Sequence, residues 1–491
     1  MQKQHVIIIG AGIGGLASAC LLARSGYRVT VLEKNQTPGG KMQQYSRDGF
    51  RFDTGPSLLT MPFLLERLFE TCSFSMHEYL TLTELPLLCR YTYPDGTRFD
   101  TWPDRQKTRE EIRRIAPEDE ENYIRFLNYS EDLYRMTADA FIFNPLYSLS
   151  DFSGLKFRNL LKINPFLTVS QKVDSYVTST YLRQFFKRFS TYNGSSPFQA
   201  PATLNVIPHV ELNQGGYYVH GGLWKIAESL HQIAVKMGVR FKFQSEVSRI
   251  TISGKTATSC ILKDSTEIAC DLIFSNADSA ETVLKLLPAE AVPPVERYRQ
   301  RSTEPSSSAF VILAAVRKQW PVLSHHNLFF SENYEEEFDT IFQKKRMPED
   351  PTIYVTNSSV TDPRDAPSGS SNLFILVNAP SVHGEQNWKE ISESYPRKVF
   401  EKLEKSGLYG LRQHLQFYKM LDPVHFKETY RTNQGGIYGT SSNRITSAFI
   451  RPRNKYRHLD NLYMVGGSTH PGGGIPLVLQ SAFNAVRLLQ E

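Results

Sequence analysis

Three glycines spaced G-x-G-x-x-G, at Gly10, Gly12 and Gly15, stand at the end of a short apolar run, Val6-Ile7-Ile8-Ile9. That spacing suits a pyrophosphate. The first glycine permits a tight turn, the second lets backbone N–H groups approach the phosphates, and the third lets the following helix pack against the strand. Gly14 lies within the same turn. The motif also needs a carboxylate about 20 residues further on, and Glu33 closes the next apolar run, Arg28 to Leu32. A carboxylate there accepts hydrogen bonds from a ribose and repels a 2′-phosphate, which disfavours NADP. After Glu33 and Lys34 comes a turn of breakers, Pro38-Gly39-Gly40-Lys41, whose glycines expose N–H groups and whose lysine is long enough to reach a phosphate. At the far end, Val465-Gly466-Gly467-Ser468 leads through Gly472-Gly473-Gly474 to Pro476, placed as a first-turn residue ahead of Leu477 to Leu489. Proline there costs no hydrogen bond, and the partial positive charge of a helix N-terminus stabilises an anion.

The elements that must position these groups follow from periodicity. Residues 6–9 read as a buried strand, Leu16 to Ser25 as a helix stopped by Gly26, and Arg28 to Leu32 as a second strand. A cleaved signal peptide is the competing reading of the first 23 residues; the glycines inside the apolar run and the strand behind it argue against one. A second block of the same kind opens near Gly215, with a strand and glycine pair from Tyr217 to Leu223, a helix from Trp224 to Met237 and a strand from Val239 to Phe243. Glu246-Val247 follows, then a hairpin over 255–270 and a core strand from Leu272 to Ser275, so the nucleotide-binding domain is expected to be discontinuous.

Between the blocks, Arg90 to Asp100 reads as a hairpin around Pro94-Asp95-Gly96, and Gln106 to Ala138 as charged helical sequence. Phe141 to Tyr147 and Leu155 to Leu167 mix Phe and Leu with Lys156, Arg158 and Lys162, a pattern compatible with a membrane interface and equally with an ordinary surface helix. Strands recur from Ala309 to Val377, and Trp388 to Lys405 reads as a charged, solvent-facing helix. His325-His326 invites a metal, but neighbours in a strand point to opposite faces and no acidic or cysteine partner is suitably spaced, so none is expected.

The 491 residues suffice for several domains of about 150 residues each. With 30 Phe and 24 Tyr, the interior or a cleft must be rich in rings. The net charge of +6 is too small and dispersed for nucleic acid, though it suits an anionic membrane surface. Five cysteines without C-x-x-C spacing suggest neither a disulfide framework nor zinc, and point to a reducing compartment. Beyond the glycine-rich start, no run approaches the ~18 apolar residues of a membrane span.

The two ends, with Gly49 to Ser57, resemble the bacterial carotenoid desaturase family, flavoproteins that include phytoene and diapophytoene desaturases and the related terminal-methyl carotenoid oxygenases. The resemblance implies FAD, with Gly10, Gly12, Gly14, Gly15, Glu33, Lys34, Gly40 and Lys41 at its nucleotide and diphosphate. It places Val247 by the adenine, Gly467 and Ser468 by the diphosphate, and the Asp53–Ser57 segment, with Gly55, Pro56 and Ser57, by the flavin. Ile475, Pro476 and Val478 fall on the isoalloxazine side. Many relatives carry arginine at the position of Lys41, which keeps the charge but not a bidentate phosphate grip.

The fold implied is α/β: a discontinuous Rossmann-type FAD-binding domain (1–75, 215–291 and 446–491), a helical substrate region at 76–214 expected to face a membrane, and a β-rich substrate domain at 292–445. The activity implied is desaturation of a linear C30 or C40 polyene by hydride transfer to FAD, at the cytoplasmic face of a membrane. Gly472-Gly473-Gly474 leans toward the terminal-methyl oxygenases, whereas Ile475 to Leu479 leans back toward the desaturases. A third reading is a non-catalytic prenyl-protein escort. No catalytic base is assigned; His209, Glu211 and His220 are the nearest candidates by position.

Overall fold

In the computed structural model, residues 3–144, 166–383, 386–444, 447–448 and 450–491 are described. The basic, aromatic stretch read as membrane-facing lies largely outside them.

Runs apolar on both faces make buried parallel strands, and His5–Ile9, buried at all five positions, is the centre of such a sheet. The order across it is Leu462–Met464, Leu272–Ser275, His5–Ile9, Arg28–Leu32 and Arg240–Lys242, all parallel. Three separated stretches of sequence therefore build one five-stranded sheet. The chain leaves His5–Ile9 toward one side through Arg28–Leu32, while Leu272–Ser275 occupies the other, so the carboxyl end of the central strand opens into a crevice, where ligands bind in such sheets. Helix Ile13–Arg24 covers one face; its Leu16, Cys20 and Leu22 are fully buried against helices Trp224–Lys236 and Ile475–Gln490.

A second sheet of seven strands carries the order Leu415–Leu421, Ser308–Val316, Ser371–Ala379, Ile353–Asn357, His326–Phe329, Cys89–Thr92 and Arg98–Thr101. All neighbours are antiparallel except His326–Phe329 with Cys89–Thr92. The hairpin foreseen around Asp95 thus forms the edge of the large sheet instead of standing with the helices that follow it, because the apolar faces of Tyr91 and Phe99 find their partners in Phe185 and Phe330. Helices Arg105–Ile115, Glu120–Ala138 and Thr180–Lys187 form the layer beyond.

Helix Trp388–Lys405 differs from expectation. Tyr395, Val399, Phe400 and Leu403 are buried along one face, while the charges seen in sequence occupy the other. Among the described residues, no helix is long and apolar enough to cross a membrane.

Candidate active site

Helix Ile13–Arg24 starts at Gly12 with no side-chain cap, and Leu16 is the first residue to donate back, to the Gly12 carbonyl at 2.9 Å. The N–H groups ahead of Leu16 are therefore open to an anion in the crevice. No side chain fits here. A Cβ on Gly12 would lie 2.6 Å from Asn276 Nδ2, one on Gly14 2.6 Å from Asn276 Oδ1, and one on Gly15 2.1 Å from the Gly10 carbonyl oxygen. Gly10 takes the turn with φ +93°. Gly10, Gly12 and Gly14 line the crevice, whereas Gly15 stands behind it and serves helix packing, as the third glycine of the motif should.

Glu33, only 4 % exposed, is fixed from two sides: Oε2 accepts the Ala11 N–H at 2.6 Å and Oε1 the Asn35 N–H at 2.8 Å. Burial raises its pKa, and those two N–H groups oppose the rise. A carboxylate has about four lone-pair sites, so two remain for ribose hydroxyls. Lys34 turns outward to donate to the Glu428 carbonyl at 2.8 Å, and Val247 closes the same end beside Glu246, which pairs with Arg431 at 2.8 Å.

In the middle of the crevice Gly40 (φ +58°) would place a Cβ 3.1 Å from Gly12 Cα. Lys41 lines the crevice beside them. Its buried ammonium donates to the Ile437 carbonyl at 2.5 Å, with Asp278 supplying charge balance, so here it ties the chain segment of Ile437 to the crevice wall. Ser468 accepts the Ser279 N–H at 2.9 Å. Gly467 lies across from these residues in the same lining.

The other end is built by Gly55, Pro56 and Ser57 facing the start of helix Ile475–Gln490. That helix begins at Gly474 (φ +102°) without a side-chain cap and has Pro476 in its first turn; Ile475, Pro476 and Val478 line the cavity. A Cβ on Gly55 would come 2.1 Å from the Lys41 carbonyl oxygen. Asp53 does not reach the cavity. It pairs with Arg51 at 3.1 Å and accepts the Trp224 N–H at 3.3 Å.

From Ser57 the cavity continues onto the large sheet, where Ala309, Val311, Leu328, Phe374 and Leu376 present an apolar wall. Ser57 Oγ shares a hydrogen bond with the Tyr354 hydroxyl at 2.8 Å, and that hydroxyl meets His326 Nδ1 at 2.7 Å. His325 and His326 are buried, with their pKa values pushed down by burial, that of His325 to about 3. Among the described residues no cluster could hold a metal ion.

The three candidates for a base do not line the cavity. His209 bonds Asn213, His220 bonds Thr83 and faces Asp362, and Glu211 pairs with Arg188. The residues missed from sequence are Asn276, which fills the space among the glycines, and Arg188 and Tyr354 in the cavity wall. Asn276 follows a core strand, where a loop residue was legible; nothing in the spacing of the other two announces them.

The cleft fits FAD. It has N–H groups at a glycine cradle, a fixed carboxylate where a ribose would lie, and a second uncapped helix start at the ring end. The family described as flavin containing amine oxidoreductase matches residues 13–490. The 4,4'-diaponeurosporene oxygenases of Staphylococcus aureus strains MSSA476 and MW2 are each 34% identical over 486 residues, covering 98% of this chain and 97% of theirs. Among solved structures, an oxidoreductase from Methanosarcina mazei superposes with a TM-score of 0.65 at 17% identity, covering 99% of this chain and 100% of that one. A fatty acid isomerase from P. acnes gives 0.65 at 14%, covering 99% and 98%; both likenesses speak to the fold. This chain belongs to the flavin containing amine oxidoreductase family and is an FAD-dependent oxidoreductase.

Proposed function

We propose that the protein oxidises the end carbon of a linear, carotenoid-class polyene. The observation that carries this reading is the cavity leading from the flavin-side loop at Ser57 onto the apolar wall of Val311, Leu328 and Leu376, in a chain 34% identical along nearly its whole length to proteins named diaponeurosporene oxygenase. A polyene offers no polar handle along its length, so position in an apolar cavity selects the carbon that reacts. Bound FAD would supply a two-electron acceptor for a C–H bond. The chain's own residues bind and orient: Gly12 to Gly15 and Glu33 hold the nucleotide, and the uncapped start of helix Ile475–Gln490 favours negative charge at the ring end.

Desaturation, placed first on sequence, becomes the second reading. The 34% identity to proteins named diaponeurosporene oxygenase favours oxygenation. A Cβ on Gly473 would approach the Tyr438 carbonyl oxygen to 3.0 Å, so the alanine that many desaturases carry would be crowded here. Incubating the FAD-loaded protein with a linear C30 polyene under ¹⁸O-labelled oxygen, then identifying products by mass and absorbance, separates the two. An alcohol or aldehyde at the chain end is the expected product; a longer polyene without oxygen would sink the end-carbon reading. Such a substrate resides in a bilayer, and Phe166 is 88 % exposed. We therefore also propose work at a membrane surface, for which cosedimentation with anionic vesicles is the measurement and recovery in the supernatant the opposing result.

A further inference from the structure

A cavity that holds only hydrocarbon has no use for a guanidinium, yet Arg188 lines it with its side chain 7 % exposed. Nη2 donates to Glu211 Oε1 at 2.6 Å and to the Tyr91 hydroxyl at 2.5 Å. Nη1 reaches the Tyr192 hydroxyl only at 3.5 Å, and Nε has no acceptor among the described residues. Distances of that length are at the margin of hydrogen bonding, so a guanidinium with five N–H groups keeps donor capacity unspent. Glu211, 2 % exposed, is occupied on both oxygens, since Tyr192 donates to the second.

The group is held firmly. Arg188 follows helix Thr180–Lys187, whose Leu182, Phe185 and Phe186 are buried, and its guanidinium lies over the Phe189 ring at 4.2 Å and the Tyr91 ring at 5.2 Å. A buried ion pair is often no more stable than apolar residues of the same volume. Stability alone therefore gives little reason to set one in this part of the cavity wall, where Thr191, Tyr192, Leu328, Tyr334, Thr352 and Tyr354 also line it.

We infer that Arg188 is the binding residue for an oxygen atom at the end of the polyene, so that the cavity accepts a linear polyene already carrying a terminal hydroxyl or aldehyde. The inference rests on the end-carbon reading above. The pair with Glu211 leaves the subsite without net charge. It therefore suits a neutral hydroxyl or carbonyl oxygen and disfavours a carboxylate, which would face Glu211 as a like charge.

The test is a titration of the FAD-loaded protein with a linear C30 polyene, its terminal aldehyde and its terminal acid, followed by the change in flavin absorbance. The wild type should bind the aldehyde about tenfold more tightly than the hydrocarbon, one good hydrogen bond's worth, and the acid no better than the hydrocarbon. Arg188→Lys, which keeps a charge for Glu211 but loses the planar fork, should bring the aldehyde and hydrocarbon together while leaving hydrocarbon affinity, flavin content and melting temperature close to wild type. Should that variant fail to fold, Arg188→Met combined with Glu211→Gln removes both charges and serves the same comparison. Equal affinity of the wild type for aldehyde and hydrocarbon overturns the assignment, as does a variant that weakens both ligands alike, the mark of a purely structural arginine. These outcomes are independent of the labelled-oxygen product. A wild type that prefers the aldehyde yet only lengthens the polyene keeps the subsite and overturns the reading beneath it.

Discussion

Gly15 and Gly26 illustrate how much one hydrogen atom in place of a methyl decides. A Cβ on Gly15 meets the Gly10 carbonyl oxygen at 2.1 Å, backbone against backbone, whereas one on Gly26 meets nothing within 4 Å and faces only the strain of φ +89°. Gly15→Ala should therefore cost about 1–3 kcal/mol and strip the purified protein of most of its flavin. Gly26→Ala should cost about 1–2 kcal/mol and keep the flavin, as denaturation and flavin absorbance would show together. His470 contributes to the pH dependence at this scale, together with His325 and His326. Burial holds its pKa at about 4, below the ordinary 6.5, and its Nε2 meets the Asn144 carbonyl at 2.9 Å. The unfolded chain takes up this proton first, so the contribution of a neutral His470 is complete above pH 6.5 and is lost as the pH falls toward 4. Each pH unit in that window removes about 1.4 kcal/mol. His470→Gln should flatten this part of the acid limb in urea unfolding measured between pH 7 and 4; an unchanged slope would refute it. Glu33 was legible in sequence because the glycine motif calls for a carboxylate at that spacing. For Lys41, sequence gives its reach but not the carbonyl of Ile437 waiting beside it.

Helix Ile475–Gln490 joins structure to function at the scale of the element. Its first turn forms the ring end of the cavity, while Leu479 and Ala482 are buried against helix Ile13–Arg24. Leu479→Ala should lower stability by about 2–5 kcal/mol. If the helix start faces the flavin as proposed, the apparent affinity for FAD, measured by titrating apoprotein, should fall in parallel; a loss of stability with unchanged affinity would separate the two roles. The start of this helix was readable from Gly474 and Pro476, since the chain conformation there depends on local residue types. The packing of helix Trp388–Lys405 was not, because its apolar residues at 395, 399, 400 and 403 are outnumbered by charges that only a tertiary partner sorts onto the outer face.

For the whole molecule, the decisive arrangement is a parallel sheet and a seven-stranded sheet that line one continuous cavity. Leu376→Trp, on strand Ser371–Ala379, should leave flavin content intact and lower kcat/KM for a long polyene by about tenfold or more, with less effect on a short one. Equal loss for both lengths would argue against substrate lying along this wall. Sequence by itself showed the strand–glycine–helix unit, Glu33, the return near Gly215 and the glycine-rich close before Pro476, local patterns set by phosphate chemistry and backbone sterics. Tertiary structure alone decided the contacts beside the large sheet. Arg188 and Glu211 stand 23 residues apart, Ser57 and Tyr354 297 apart, and the edge hairpin joins strands separated from it by more than 200 residues. Such contacts arise from which apolar faces pack together, which no linear pattern of residues reveals.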